Sequence, residues 1–370
     1  MEAVLAGLRI VELSAFVAAP LGGATLAALG ADVVRIDPLG GGIDIGRWPL
    51  HEGRSLYWAG LNRGKRSVTL DLRSEQGQEV AARLAGSAGT VLTNLPGRGP
   101  LTFEGLRQRR PDLVMVEIGG RSDGRPAVDY TVNAGTGFAW VTGPEGYDRP
   151  LNHVLPAWDV ATGLLASTGL LAADRRRLRT GQGALVRLSL AEVAVTVASH
   201  LGLLDEARLT EEPRGRFGNH LFGTFAREFR TADGRFLIVL ALTPRQWRSL
   251  AEATGLPFDR IPADLTDEGE RWRHREEICA LLEPWVAART EAEVAEAFEA
   301  HRVLWGPFRT FKELLAEEPL AAAPAASPLR FDHQSAGPAP PGPGLGADTE
   351  SVLREAGEDV EELRRAGVIA

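Results

Sequence analysis

The sequence predicts an α/β protein built on a doubly wound, mainly parallel sheet. Short runs rich in Val, Leu and Ile alternate with segments of helical periodicity through the first 210 residues, and this alternation is typical of parallel sheets. The length of 370 residues favours about two domains. Hydrophobic residues at 44% and charged residues at 24% are ordinary for a globular protein with a sizeable core.

The elements of this first region follow from periodicity and from helix-ending glycines. The predicted strands are 8–14, 32–37, 67–72, 90–95, 113–118 and 184–190. The predicted helices are 20–30, 75–85, 103–110, a long helix that begins near Asp159, and 191–207. Ligands collect at the carboxyl ends of parallel strands, which here means the turns 15–19 and 94–98.

The second half of the chain predicts a smaller α+β domain. After a polar linker at 211–223, strands at 225–229 and 235–241 flank Asp233-Gly234, a strong hairpin signal. Helices follow at 244–254, 271–288 and 290–301, then an Ala- and Pro-rich extended connector at 319–343 and a helical pair at 348–370. We therefore expect a large domain at 1–210, a small one at 222–318, and a returning segment at 319–370. A connector this long should cross a surface, such as that of a partner subunit.

Composition excludes several classes of function. The net charge of -8 argues against binding to nucleic acid or to an anionic membrane. No apolar run reaches the ~18 residues of a membrane span, and no signal peptide is evident, so a cytoplasmic protein is expected. Cys279 is the single cysteine, which rules out an intrachain disulfide and predicts a buried structural thiol. The scattered histidines do not indicate a metal site.

Asp159 is the candidate catalytic residue. Pro156 disfavours helix before it and an apolar helical run follows, so Asp159 should lie at a helix entrance. A carboxylate there is either an N-cap or a nucleophile that attacks an activated acyl group, and spacing does not choose between them. The cationic turn 62–66, with Lys65 and Arg66, is likewise either a solvated loop or a phosphate clamp.

Several segments together resemble the family III CoA-transferases of the CaiB/BaiF type. They are Leu5–Ser14, Leu29–Asp37, Asn62–Ser67, Asp159 with its helix, and Arg179–Gly183. The resemblance implies a Rossmann-like large domain made from both chain ends, a small domain between them, and an interlocked homodimer. It implies an acyl-CoA thioester as substrate, with CoA entering as part of that substrate and no tightly bound cofactor or metal.

Residue by residue, the resemblance makes Asp159 the nucleophile. It places Phe16, Val17 and Ala18 close to CoA and the reacting thioester, Leu70 and Arg73 near the adenine and phosphate end, and Asn94, Leu95 and Arg98 near the pantetheine and pyrophosphate. Many relatives carry a basic residue where this chain has Pro38-Leu39. That phosphate contact is therefore either missing or supplied by Lys65, Arg66 or Arg47, and Lys65 is the residue that we assign to it.

The implied reaction is CoA transfer between the two carboxylates of one C5 unsaturated dicarboxylic acid, through an aspartyl anhydride and an aspartyl-CoA thioester. The stretch 240–244 lacks the glycine-rich loop of formyl-CoA-type members, which disfavours exchange between two separate acids. That intermolecular exchange is the main alternative. A racemase is disfavoured because Val128 replaces its catalytic histidine, and a non-catalytic CoA-binding protein is disfavoured by the context of Asp159. Candidates for holding the free carboxylate are His153, Asn219, His220 and Arg227.

Overall fold

The computed structural model describes residues 3–319, 327–332, 334–335 and 339–370. Part of the predicted connector 319–343 therefore lies outside the described residues. In chain order the strands are β1 (Arg9–Leu13), β2 (Asp32–Pro38), β3 (Leu50–His51), β4 (Arg54–Ser55), β5 (Arg66–Leu70), β6 (Thr90–Thr93), β7 (Val114–Gly119), β8 (Ala184–Ser189), β9 (Phe225–Arg230), β10 (Phe236–Ala241), β11 (Leu304–Pro307), β12 (Arg330–Phe331) and β13 (Gln334–Ser335).

The helices alternate with these strands through the first 200 residues. In chain order they are α1 (Ala18–Ala27), α2 (Leu56–Leu61), α3 (Glu75–Ala88), α4 (Phe103–Arg109), α5 (Asp129–Ala134), α6 (Phe138–Val141), α7 (Ala157–Thr180), α8 (Leu190–His200), α9 (Leu203–Leu209), α10 (Pro244–Thr254), α11 (Glu268–Arg273), α12 (Arg275–Ala287), α13 (Glu291–His301), α14 (Phe311–Glu317), α15 (Thr349–Glu355) and α16 (Val360–Arg365). Short 3₁₀ turns occur at Gly99–Leu101 and Phe258–Arg260.

A six-stranded parallel sheet in the order β5-β2-β1-β6-β7-β8 organises the first unit. From β1 the chain moves outward through β2 to β5, and it then returns to the other side of β1 to lay down β6, β7 and β8. The direction of winding reverses between β1 and β6, and a crevice opens there at the carboxyl ends of the strands. The predicted doubly wound α/β class is confirmed.

The C-terminal helices pack on this same sheet. Val352, Leu353, Val360 and Leu363 join the buried core formed by β1, β2, β5, β6 and α3. Backbone hydrogen bonds tie the end of the chain to the strand edge, with Asp71 N donating to the Val368 carbonyl at 2.8 Å. Both ends of the chain therefore contribute to one core.

Contacts divide the chain into two compact units. The first comprises Met1–Thr136, His153–Leu209 and Ala323–Ala370, and the second comprises Gly137–Asn152 and Thr210–Ala322. The segment 137–152, expected in the large domain, thus groups with the smaller unit. Within that unit an antiparallel sheet β11-β10-β9 packs against helices α10, α12 and α13, so the predicted α+β architecture is confirmed. Cys279 is buried in its core, and burial raises the pKa of the thiol to about 11.

Two predicted helices are wrong in length because of local breaks. The helix expected at 191–207 divides into α8 and α9 around Gly202, whose φ of 74° belongs to the left-handed region. The helix expected at 271–288 divides at His274, so that α11 begins earlier and α12 follows as a separate helix. The strand β11 and the short helices α5 and α6 were not predicted, since none spans enough residues to show a clear period.

Candidate active site

The turn after β1 lies at the crevice and is held by side chains from elsewhere in the first unit. Asn94, which follows β6, accepts from the Ala15 amide at 2.9 Å and donates to the Ala15 carbonyl at 2.7 Å. The Phe16 amide donates to the buried carboxylate of Asp44 at 3.1 Å, and Phe16 has a φ of 62°. A phenylalanine in this left-handed region is strained, so the two anchors fix a backbone shape that the residue alone would not prefer.

The long helix α7 approaches α1 at unusually short range. A Cβ atom on Gly163 would lie 2.6 Å from the Ala18 carbonyl oxygen, and one on Gly22 would lie 3.0 Å from the Gly163 carbonyl oxygen. Ser167 Oγ donates to the Gly22 carbonyl at 3.1 Å across the same contact. Since Asp159 is one turn before Gly163, this close packing places Asp159 beside the amino end of α1.

Asp159 is the third residue of α7, and it does not cap the helix. The N-cap residue is Pro156, which has no capping side chain. The cap comes instead from Asp129 on α5, whose Oδ2 accepts from the amides of Trp158 at 2.6 Å and Asp159 at 3.0 Å. The N-cap interpretation of Asp159 is therefore wrong, and its carboxylate is left free for another purpose. Within the described residues no hydrogen bond to that carboxylate is present.

Asp129 also binds His153. Its Oδ1 lies 2.8 Å from His153 Nε2, and since a carboxylate only accepts, the imidazole nitrogen donates. Asp129 is fully buried, whereas the His153 side chain retains 25% exposure. Hydrogen bonds from the imidazole and the two amides satisfy the buried carboxylate and orient the first turn of α7.

The electrostatic environment raises the pKa of Asp159. Burial raises its pKa to about 6, the negative charge of Asp129 adds to this, and Arg47 opposes it. A carboxyl with a pKa of about 6 is largely ionised at neutral pH. It is also more basic than an ordinary aspartate, and both properties suit an attacking group.

Arg47 and two aromatic rings complete this corner of the site. The guanidinium carbon of Arg47 lies 5.6 Å from the centre of the Phe16 ring and 5.1 Å from that of Tyr57. Burial raises the pKa of Tyr57, Arg47 acts to lower it, and Asp159 acts to raise it. Tyr57, Arg47 and Asp159 therefore lie close enough to feel one another's charge.

Three of the other sequence-predicted residues, Asn94, Leu95 and Arg98, line two cavities at the carboxyl edge of the sheet. A cavity of about 110 Å³ is lined by Leu95, Arg98 and Leu72, and one of about 480 Å³ by Asn94, Leu95 and residues that follow β7 and β8. Arg73 and Arg98 are exposed nearby in the chain, while the Leu70 side chain is fully buried in the core. Any contact of Leu70 with a ligand must therefore be made by its backbone. Val17 and Ala18 begin α1, and among the described residues their amides and that of Ala19 have no acceptor.

Lys65 does not fit the role predicted for it. Its side chain is fully buried, and Nζ donates to Glu12 Oε1 at 2.8 Å, the Pro20 carbonyl at 2.8 Å and Asn62 Oδ1 at 3.0 Å. All three donors are used inside the protein, so none reaches a phosphate. Burial lowers the pKa of Lys65 to about 8, and Glu12 opposes that shift. Arg66 is also committed, in ion pairs with Asp32 and Glu355.

Sequence reasoning missed the roles of Asp129 and Asp44, and it considered Arg47 only as one possible phosphate contact. The partners of Asp129, at positions 153, 158 and 159, lie more than 20 positions away in the chain. Asp129 begins the short helix α5, which is too short to show a clear period, so the sequence gives little signal of its role. Asp44 and Arg47 follow a glycine run that is typical of a flexible turn. Periodicity therefore predicts no role for either residue.

Two negative findings concern the described residues. None of the helices there combines the length and apolar character needed to cross a bilayer. No group of three or more His, Cys, Asp or Glu side chains in those ranges is arranged to hold a metal ion.

The parallel fold, the crevice and the half-buried carboxylate at the α7 entrance define an acyl-transfer type of site, and comparison with known proteins names the class. The family model of CoA-transferase family III matches residues 5–349, and the chain belongs to this family. It is 45% identical to 2-methylfumaryl-CoA isomerase of Chloroflexus aurantiacus, over 100% of this chain and 98% of that protein. It is 30% identical to succinyl-CoA–D-citramalate CoA-transferase of the same organism, over 84% of this chain and 79% of that protein.

Solved structures agree with this assignment. A CaiB/BaiF family protein from Brucella suis superposes with a TM-score of 0.81 at 25% identity, over 95% of this chain and 99% of that one. The protein Rv3272 from Mycobacterium tuberculosis superposes with a TM-score of 0.77 at 25% identity, over 94% and 98% of the two chains. The family resemblance drawn from the sequence is confirmed.

Proposed function

We propose that this enzyme moves CoA between the two carboxylates of one C5 unsaturated dicarboxylic acid, converting 2-methylfumaryl-CoA (mesaconyl-C1-CoA) to 3-methylfumaryl-CoA (mesaconyl-C4-CoA). The observation that carries the proposal is the full-length 45% identity to 2-methylfumaryl-CoA isomerase. The free, half-buried carboxylate of Asp159 at the crevice supports the same chemistry. No redox step is needed, because each bond formed replaces one of similar energy.

Asp159 is the nucleophile in this proposal. A carboxylate oxygen attacks the thioester carbonyl carbon, the C–S bond breaks, and an anhydride and free CoA thiolate result. The thiolate then attacks the Asp159 carbonyl carbon and expels the dicarboxylate, leaving CoA on the enzyme as a thioester. Within the described residues the Asp159 carboxylate has no hydrogen-bond partner that a substrate must displace. Its raised pKa also makes it a better nucleophile than a typical aspartate.

The second half repeats these steps in reverse order at the other end of the acid. The remaining carboxylate attacks the Asp159 thioester and displaces the thiolate, which then attacks the substrate carbonyl of the second anhydride. Asp159 is released and CoA has moved from one end to the other. Holding the acid between the halves makes the transfer effectively unimolecular, which favours an intramolecular outcome.

Backbone amides at the amino end of α1 suit the developing oxyanions. The amides of Trp158 and Asp159 in α7 already donate to Asp129, so they are not available to stabilise an oxyanion. The amides of Val17, Ala18 and Ala19 point from a helix amino terminus, where the helix dipole also favours negative charge. This supports the proposed nearness of Phe16, Val17 and Ala18 to the thioester. We retain Leu70, Arg73, Asn94, Leu95 and Arg98 as the proposed CoA contacts and leave out Lys65.

The proposed assembly is an interlocked homodimer in the cytoplasm. Large apolar side chains are exposed on α7 and α8, including Leu164 at 49%, Leu165 at 43% and Val195 at 49%. Apolar exposure at these neighbouring positions supports a partner surface. Light scattering coupled to size-exclusion chromatography should give twice the chain mass of 39.7 kDa, and a monomer would contradict the proposal.

The experiment that tests the function is incubation of the enzyme with 2-methylfumaryl-CoA alone, with the products separated by chromatography. We expect the 3-methylfumaryl isomer to form, and Asp159→Asn to abolish turnover while remaining folded by circular dichroism. Labelled free 2-methylfumarate in the mixture should stay out of the thioester pool. Rapid entry of label would instead indicate the intermolecular transferase. Near-normal turnover by Asp159→Asn would exclude the nucleophile role.

A further inference from the structure

Arg47 is a cation at the site that has no carboxylate partner in the part of the chain that the structure describes. Among the described residues none of the ion pairs within 4.0 Å involves its guanidinium group. The two buried cations beside it are fully engaged. Arg35 binds Asp37, Asp44 and Asn62, and Lys65 binds Glu12. Arg47 therefore differs from its neighbours in having donors left for a ligand.

The position of Arg47 is well fixed although its side chain is accessible. Its amide donates to the Asp44 carbonyl at 3.1 Å, and Ser55 Oγ donates to its carbonyl. The guanidinium carbon lies over the rings of Phe16 and Tyr57, and the Tyr57 side chain also receives a hydrogen bond from Arg47. A guanidinium has five N–H donors, so these contacts restrict it and still leave donors along its edge that bind a carboxylate in bidentate fashion.

Arg47 also lies beside the reacting group. Its guanidinium carbon lies over the ring of Phe16, two residues before α1 begins at Ala18. The close approach of Gly163 to Ala18 brings the first turn of α7 to the same end of α1. The effects of Arg47 on Asp159 and Tyr57 agree with this geometry. The carboxylates of Asp44, Asp129 and Asp159 would repel the free carboxylate of a substrate unless a cation bound it.

We propose that Arg47 binds the substrate carboxylate that does not carry CoA, and thereby selects dicarboxylic substrates. The inference rests on the proposed function, which requires an acid with one thioester and one free carboxylate at the site. The same contact retains the free acid while CoA resides on Asp159, because the acid is then held by charge alone. His153, an earlier candidate for this task, is occupied by Asp129.

The test compares two thioesters of similar shape with wild type, Arg47→Gln, Arg47→Lys and the control Arg54→Gln. Arg54 is an exposed arginine of the neighbouring hairpin. One thioester is 2-methylfumaryl-CoA, and the other is 2-methylcrotonyl-CoA, which lacks the second carboxylate. The rate of enzyme-CoA adduct formation is followed for both by rapid quench and intact mass spectrometry. Binding of free CoA is measured by calorimetry.

Wild type and Arg54→Gln should react about 100-fold faster with the dicarboxylic thioester, as expected for a charged bidentate contact. In Arg47→Gln this preference should fall to within about threefold, free 2-methylfumarate should escape, and the Kd for CoA should stay unchanged. Arg47→Lys should keep part of the preference. A preference that survives in Arg47→Gln, or is absent in wild type, overturns the inference. A weaker CoA affinity in Arg47→Gln also overturns it, because Arg47 would then bind a CoA phosphate.

Failure of the proposed function gives a different result. If wild type passes CoA to labelled free acid and does not interconvert the two isomers, the intramolecular reaction is wrong. The preference for the dicarboxylic thioester and its dependence on Arg47 are measured from the rate of adduct formation. The inference is therefore tested whether CoA transfer proves to be intramolecular or intermolecular.

Discussion

The buried carboxylate of Asp129 accepts a hydrogen bond from the backbone amide of Asp159 at 3.0 Å. One acidic residue thus fixes the helix turn that presents another. The same proximity acts on ionisation, since the Asp129 charge adds to burial in raising the pKa of Asp159 to about 6. Position and basicity of the proposed nucleophile therefore have a common structural source, and the two can be separated by mutation.

Asp129→Asn should move the acidic limb of the pH–rate profile to lower pH. The proposed reaction requires ionised Asp159, so wild-type activity should fall as the pH drops through about 6, the value to which burial and Asp129 raise the pKa of Asp159. Asparagine still accepts from the two amides but carries no charge, so the limb should shift down by roughly half to one pH unit. An unmoved limb would show that Asp129 acts on position alone. The measurement is kcat/KM between pH 4.5 and 8.

Asp159→Asn should be more stable than wild type above pH 6. The folded protein raises the pKa of Asp159 from 3.8 to about 6, so the folded state binds more protons in that window and wild-type stability falls as the pH rises through it. Asparagine has no such dependence, and after allowance for partial exposure the gain should be on the order of 1 kcal/mol. Urea unfolding at pH 4 and pH 7.5 checks this. Equal differences at the two pH values would contradict the raised pKa.

Gly163→Ala should weaken both stability and turnover. The new methyl group would meet the Ala18 carbonyl at 2.6 Å, so α7 must move away from α1 and carry Asp159 with it. We expect a loss of about 1–3 kcal/mol in the free energy of unfolding and a reduced kcat. The matched control is Gly60→Ala in α2, where a Cβ meets nothing within 4 Å. That change should be neutral or stabilise by up to about 1 kcal/mol. Similar effects of the two substitutions would refute the packing argument.

Lys65→Met should destabilise the fold by about 3–5 kcal/mol, because it leaves Glu12 buried without a counter-charge. The measurement is the free energy of unfolding in urea, together with the Kd for CoA of the folded variant. The Kd should not change, since Lys65 has no donor available for a phosphate. Lys312→Met, at an exposed lysine of α14, is the control and should be near neutral. A stable Lys65→Met variant with weakened CoA binding would restore the phosphate role.

Much of the architecture was predictable from local pattern. The strands around Ile10, Val34 and Val91 are buried on both faces, so they appear in the sequence as short runs rich in Val, Leu and Ile. Helix-ending glycines such as Gly181 mark boundaries because they adopt a positive φ. The position of Asp159 at a helix entrance followed from Pro156 and the apolar run after it. These features depend on residues within a few positions of one another, and a sequence displays such relations directly.

What the sequence by itself determined was therefore the order of elements, the parallel sheet, the family, and the turn that bears Asp159. Only the tertiary structure decided that Asp129 caps α7, that Lys65 faces Glu12 rather than a ligand, and that the guanidinium of Arg47 lies over the Phe16 and Tyr57 rings. The physical reason is range. Burial, charge pairing and pKa depend on side chains brought together from positions 16 to 159, and no local periodicity records which of them meet.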